Sequence, residues 1–136
     1  MIYETYCSYE VAMLLKEKSF DIGCYGRYST RSKEFHFDAT RKCENHGLFI
    51  IAAPTHQMAM KWLREVYHIY TEICLYKINE NDVEPKKNRK APYYTFGVWD
   101  SVTGNNIDKR LTNDFIGDTY EQACEAAVLY CLGHLI

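Results

Sequence analysis

Between Thr55 and Ile78 the hydrophobic period of the chain changes, and this change does most to limit the folds open to it. From His56 to about Tyr67, the residues Ala59, Trp62, Leu63 and Val66 fall at i, i+3, i+4 and i+7. That spacing makes one apolar stripe on a helix, with Lys61, Arg64 and Glu65 on the other side. From Ile69 to Ile78 the period drops to two, and Ile69, Thr71, Ile73, Leu75 and Lys77 share one face of a strand. A helix that runs straight into a half-apolar strand must bury both faces against other elements, so the chain needs a mixed helix-and-sheet core.

Two further helices begin as this one does, with a hydroxyl residue and an alanine four positions on: Ser8 with Ala12, Thr55 with Ala59, Thr119 with Ala123. Ser or Thr at an N-cap accepts a hydrogen bond from a free amide of the first turn. Thr119 and Gln122 also have capping-box spacing. The first helix is predicted from about Tyr9 to Lys18, with Ala12, Leu15 and the following Phe20 toward the core. The third is predicted from Tyr120 to about Leu132, with a narrow stripe of Ala123, Ala127, Tyr130 and Cys131 and with Gly133 ending it.

Strand signals fill the gaps. From Cys24 to Asp38, Tyr28, Phe35 and Phe37 alternate around the polar turn Ser29-Thr30-Arg31-Ser32-Lys33, which reads as a hairpin. Tyr93 to Trp99 is a second β-prone run. Asn79 to Pro92, charged and holding two prolines, reads as a long mobile hairpin loop. Val102 to Ile107 reads as a turn, and a short strand is expected near Leu111 to Ile116. Leu48-Phe49-Ile50-Ile51 reads either as a short buried strand or as a packed loop. The order is α-β-β-α-β-β-(β)-α. It implies a single α+β domain over residues 1–136, with one antiparallel sheet of four to five strands packed by three helices.

Composition bounds the setting. No run of about 18 apolar residues is present, so no membrane partner is expected. The opening Met-Ile-Tyr-Glu-Thr-Tyr-Cys lacks the basic and apolar regions of a signal peptide, which places the chain in the cytoplasm. In that compartment Cys7, Cys24, Cys43, Cys74, Cys124 and Cys131 are expected as free thiols. The net charge of −2 does not suit a protein that coats nucleic acid, so any such contact has to come from a local patch.

The stretch Ala53-Pro54-Thr55-His56-Gln57-Met58-Ala59-Met60-Lys61-Trp62-Leu63-Arg64-Glu65 resembles a segment of small uncharacterised proteins of Bacteroides phages and integrated mobile elements. Ser19-Phe20-Asp21 is similar to their Gly-Phe-Asp turn, with Ser19 in place of the glycine. Asp118-Thr119-Tyr120-Glu121-Gln122-Ala123 is similar to a motif near their end. The resemblance implies a phage, prophage or mobile-element origin in a bacterial host. It carries over no catalytic residue.

Four constellations bear on chemistry. Cys43 and His46 form one Cys-x2-His pair with Cys24 and His36 upstream, but zinc sites announce themselves with two tight pairs. Arg27, Arg31, Lys33, Arg41 and Lys42 interleave with Tyr25, Tyr28, Phe35 and Phe37, a mixture that suits single-stranded nucleic acid. The competing reading is a solvated hairpin with its aromatics turned into the core. It is favoured because Glu34, Asp38 and Glu44 offset the charge. Lys86, Lys87, Arg89 and Lys90 follow Glu80, Asp82 and Glu84, so that loop is charge-segregated rather than simply basic. A cysteine nucleophile would need one of His36, His46, His56, His68 or His134, and no local signature joins any of them to a thiol.

Met58 and Met60 lie about 200° apart on the second helix, at roughly 100° per residue, so only one of them can share the buried stripe. With no catalytic, metal or cofactor motif, the expected function is a non-enzymatic accessory protein acting on an unknown protein partner or on itself. The runner-up is a nucleic-acid binder using Arg27, Tyr28, Arg31 and Lys33 with Lys86, Lys87, Arg89 and Lys90. A cysteine-dependent enzyme stands third.

Overall fold

The computed structural model describes residues 4–76, 92–108 and 117–136. Its elements in chain order are α1 (Tyr9–Glu17), β1 (Gly26–Ser29), β2 (Phe35–Phe37), β3 (Ile50–Ala53), α2 (His56–Tyr67), β4 (Ile69–Tyr76), β5 (Tyr93–Asp100) and α3 (Tyr120–His134). All three hydroxyl caps form. Ser8 accepts from the Val11 amide and Thr55 from the Met58 amide. Thr119 and Gln122 complete a reciprocal capping box.

α1 ends in a Schellman turn. The Ser19 amide donates to the Lys16 carbonyl and the Phe20 amide to the Leu15 carbonyl. Phe20 and Leu15 are both fully buried, which supplies the hydrophobic contact that accompanies this motif. The turn places Ser19 at φ 68°, in the left-handed region where a Cβ is crowded.

The strands divide into two antiparallel sheets, ordered β2-β1-β3 and β4-β5, rather than the single sheet of four to five strands expected. The Leu48 to Ile51 stretch accounts for the difference. Its last two residues open β3, which pairs with β1 in the register Tyr28↔Ile51 and makes a three-stranded sheet of the first hairpin. α2 then intervenes before β4, which pairs along its whole length with β5. The observed order is therefore α-β-β-β-α-β-β-α. The strand expected near Leu111 to Ile116 and nearly all of the loop from Asn79 lie outside the described residues. Gly117, just past the former, bonds to Tyr94 of β5 in both directions.

α3 links the two halves. Its buried face is Ala123, Cys124, Ala127, Val128, Cys131 and Leu132, and it packs on α1, α2, β4 and β5. Small side chains let those neighbours approach closely. Gly133 does not end this helix; it stays helical, and the cap falls on Leu135, whose amide reaches the Cys131 carbonyl. Val66 departs from the expected α2 stripe at 53% exposure, while Ala59, Trp62 and Leu63 are buried as expected. Met60 is buried and Met58 is exposed.

Two substitutions test this packing. Ser19→Gly should stabilise the protein by about 0.5–1 kcal/mol by relieving the left-handed conformation, read as a higher midpoint in urea. Thr71 faces the core from β4, and its hydroxyl has no hydrogen-bond partner among the described residues. Thr71→Val should therefore stabilise by about 1 kcal/mol, since it removes a buried polar group while keeping its shape.

Candidate functional site

Of the hairpin residues singled out in the sequence, Arg27, Tyr28 and Arg31 line one cavity, while Lys33 and Lys42 lie on other rings. Arg27 sits opposite His36 across β1 and β2. Arg31 lays its guanidinium 4.6 Å from the centre of the Phe49 ring. Lys33 lies 5.5 Å from the Tyr9 ring, and Lys42 lies 5.3 Å from the Tyr25 ring. A cavity of about 530 Å³ opens among Arg27, Ser29, Arg31, His36 and Phe49. Tyr25, Phe35, Phe37, Leu48, Phe49 and Ile50 are all exposed, so of the aromatics expected to face the core only Tyr28 is half-buried. α1 packs on β3, while β2 is the sheet's edge strand, its phenylalanines met by the Tyr6 and Tyr28 rings. Leu48 is the extreme case at 85% exposure.

Tyr28 has a structural part to play. Its hydroxyl donates to the Cys7 carbonyl at 2.7 Å, and its ring meets Phe35 and Tyr9. Among the described residues no carboxylate lies within 4 Å of Arg27, Arg31, Lys33, Arg41 or Lys42. Lys86, Lys87, Arg89 and Lys90 fall outside the described residues.

The four residues weighed for zinc do not gather among the described residues. Cys24 and Cys43 face each other as a backbone-bonded bridge. His36 sits on β2, and His46 is exposed and pairs with Glu44 at 2.9 Å. Five of the six thiols are held toward their protonated form. Burial pushes Cys24 up to about 12 and Cys124 up to about 11, drives Cys7 far above its ordinary range, and raises Cys43 and Cys74 as well. A nucleophilic cysteine needs the opposite shift.

A second cluster went unseen in the sequence. His56, the first residue of α2, is buried and has both ring nitrogens engaged. Nδ1 lies 2.9 Å from Thr5 Oγ1, and Nε2 lies 2.5 Å from Glu125 Oε2 on α3. Glu125 also accepts from the Ser8 amide at 3.2 and 3.3 Å. Burial alone would raise the Glu125 pKa. The hydrogen bonds from His56 and Ser8, with the nearby His56 charge, outweigh burial and hold it below the ordinary value. Cys7, fully buried, brings its sulfur into the same space: one donor atom each from Cys7, His56 and Glu125 lie within 4.8 Å of one another.

Backbone bonds hold the parts in place. The Cys7 amide donates to the Pro54 carbonyl and the His56 amide to the Thr5 carbonyl, around a Tyr6↔Thr55 bridge. A cavity of about 730 Å³, lined by Thr5, Ser8, Asp118, Glu121 and others, reaches His56 and Glu125 from outside.

No family model matches this sequence, and no curated protein or solved structure is detectably similar to it. Among the described residues, the fold and the two sites define a mixed α+β protein with three helices, two antiparallel sheets and no helix long and apolar enough to cross a membrane.

The buried pair has a measurable consequence. His56→Ala leaves the Glu125 carboxylate half-buried without its imidazole, and it should destabilise the fold by about 1–3 kcal/mol in chemical denaturation.

Proposed function

We propose that this chain is a non-enzymatic binding protein that docks a partner protein on the face formed by β2, β1 and the approach to β3. The observation that carries this reading is the run Leu48-Phe49-Ile50, exposed to solvent with the Arg31 guanidinium lying on the Phe49 ring. Exposed apolar side chains grouped in one place, rather than scattered, mark interaction surfaces. Aromatic rings and arginine are the types that dominate binding energy at such surfaces. Arg31 already lies on Phe49, and Arg27, Arg41 and Lys42 belong to the same hairpin region without carboxylates within 4 Å. The partner that fits is a protein with an apolar knob inside an acidic rim. An accessory role in a phage or mobile element belongs to this proposal and rests on the resemblance around Ala53 to Glu65.

A nucleic-acid reading draws on one specific observation: the Tyr25 ring is solvent-exposed with the Lys42 ammonium 5.3 Å from its centre, as base stacking would need. Tyr28, with its hydroxyl committed to Cys7, does not serve that purpose.

One set of variants separates these readings. The wild-type chain and the double variant Leu48→Ser, Phe49→Ser are used as bait in nuclease-treated host lysate, after circular dichroism shows equal folding. A protein retained by the wild type and released both by the double variant and by raised salt is the expected result. Equal retention by both baits, or none by either together with a monomer in light scattering, would overturn the docking face. Titration with a single-stranded oligonucleotide near 50 mM salt covers the second reading. Binding that weakens steeply with salt and depends on Arg31 would replace protein docking as the function of this face.

A further inference from the structure

We propose that Cys7, His56 and Glu125 form a binding site for a single zinc-class divalent ion. These residues are separate from the docking face and lie where the segment before α1 meets the start of α2 and the middle of α3. Three unlike donors converge there from three separate parts of the chain, all within 4.8 Å of one another. In a tetrahedral zinc site, with bonds of about 2.0–2.3 Å, donors stand about 3.3–3.8 Å apart. The present spacing needs only the separation of His56 Nε2 from Glu125 Oε2, now 2.5 Å, and a small approach of the sulfur.

The supports around the donors are those a metal site uses. A ligating histidine presents one nitrogen to the ion while its other nitrogen is held by an oxygen nearby. Thr5 Oγ1 holds Nδ1 at 2.9 Å, which leaves Nε2 as the nitrogen facing Glu125 and the thiol. Cys7 and His56 are locked to each other through the Cys7–Pro54 and His56–Thr5 backbone bonds, so two of the three donors are pre-positioned. The Ser8 amide orients the Glu125 carboxylate. The cavity of about 730 Å³ supplies both an entry path and room for a water as fourth ligand, and Glu121 and Asp118 in its wall attract cations.

The choice of metal follows from donor chemistry. A thiolate with an imidazole and one carboxylate suits Zn(II) and its substitute Co(II); Mg(II) and Ca(II) prefer oxygen alone. Binding would release the Cys7 thiol proton and any proton shared between His56 and Glu125 to solvent, so the ion is exchanged for protons and nothing is oxidised or reduced. The burial of the cluster points the same way. A polar pair under three packed elements contributes less to stability than apolar side chains of the same size would, so its presence calls for another role.

The test uses the full chain, stripped with a chelator and titrated with Co(II) and then Zn(II). The expected result is one equivalent of Co(II) with a thiolate-to-cobalt charge-transfer band and tetrahedral visible bands, displaced by one equivalent of Zn(II). X-ray absorption of the zinc form should show one sulfur at about 2.3 Å with nitrogen and oxygen at about 2.0 Å. Cys7→Ser should abolish the charge-transfer band, and Glu125→Gln should weaken binding more than tenfold. Cys24→Ser and Cys43→Ser should leave the band unchanged. If Cys7→Ser does not fold, Thr5→Val at the exposed supporting residue still decides, since losing the histidine's partner should weaken affinity about tenfold. A wild-type chain that binds no cobalt at equimolar excess, a band that survives Cys7→Ser, or a band lost instead in Cys24→Ser would overturn the site.

Discussion

A helix with alanine and cysteine on its inner side can be approached closely from several directions, and α3 is that helix here. Ala123, Cys124, Ala127 and Cys131 leave room for α1 on one flank, α2 on another, and the β4-β5 ribbon across the rest. The larger Val128 and Leu132 fill the space that remains. Two sheets of three and two strands are each too small to bury a core alone. Their common backing by α3 and the other helices makes one continuous cluster of Leu15, Phe20, Trp62, Leu63, Phe96 and Leu132. A bulkier α3 would force these elements apart, because native interiors tolerate little added volume.

That close approach also creates the buried polar cluster. Glu125 stands on α3 between the small residues Cys124 and Ala126. It reaches His56 only because the start of α2 and the segment carrying Thr5 and Cys7 come in against α3. The capping residue Thr55 has a part in this. By fixing where α2 begins, it sets His56 as the first helical residue, turned toward α3 instead of solvent. Local cap chemistry thus positions a side chain whose partner is 69 residues away.

The exposed hairpin face arises from the opposite condition, a lack of cover. α1 lies against β3, and β2 is a three-residue strand at the sheet's edge. Phe35 and Phe37 keep contact with Tyr6, Tyr25 and Tyr28 along one side and remain open on the other. The result is a fold with the His56–Glu125 pair held inside and the apolar side chains of Leu48, Phe49 and Ile50 held outside. These are two places with separate physical origins.

Helix starts were legible because capping is local: Ser8, Thr55 and Thr119 each act within three residues of themselves. The helix and strand periods were legible for the same reason, as was the α+β class. Strand partnership was not. Whether the Leu48 to Ile51 stretch joins a sheet depends on β1 offering it an edge, and no property of those four residues settles that. The exposure of Phe35 and Phe37, which share a sheet face with Tyr28 and Ile51, depends on what lies over the sheet's edge, and the end of α3 beyond Gly133 depends on the contacts of Leu132 and Leu135. The Cys7, His56 and Glu125 group left no spacing signal at all, since its members share neither a turn nor a strand. The sequence by itself determined the elements, because their causes act over a few residues. Tertiary structure alone decided the sheets and both sites, because those arise from contacts between segments far apart in the chain.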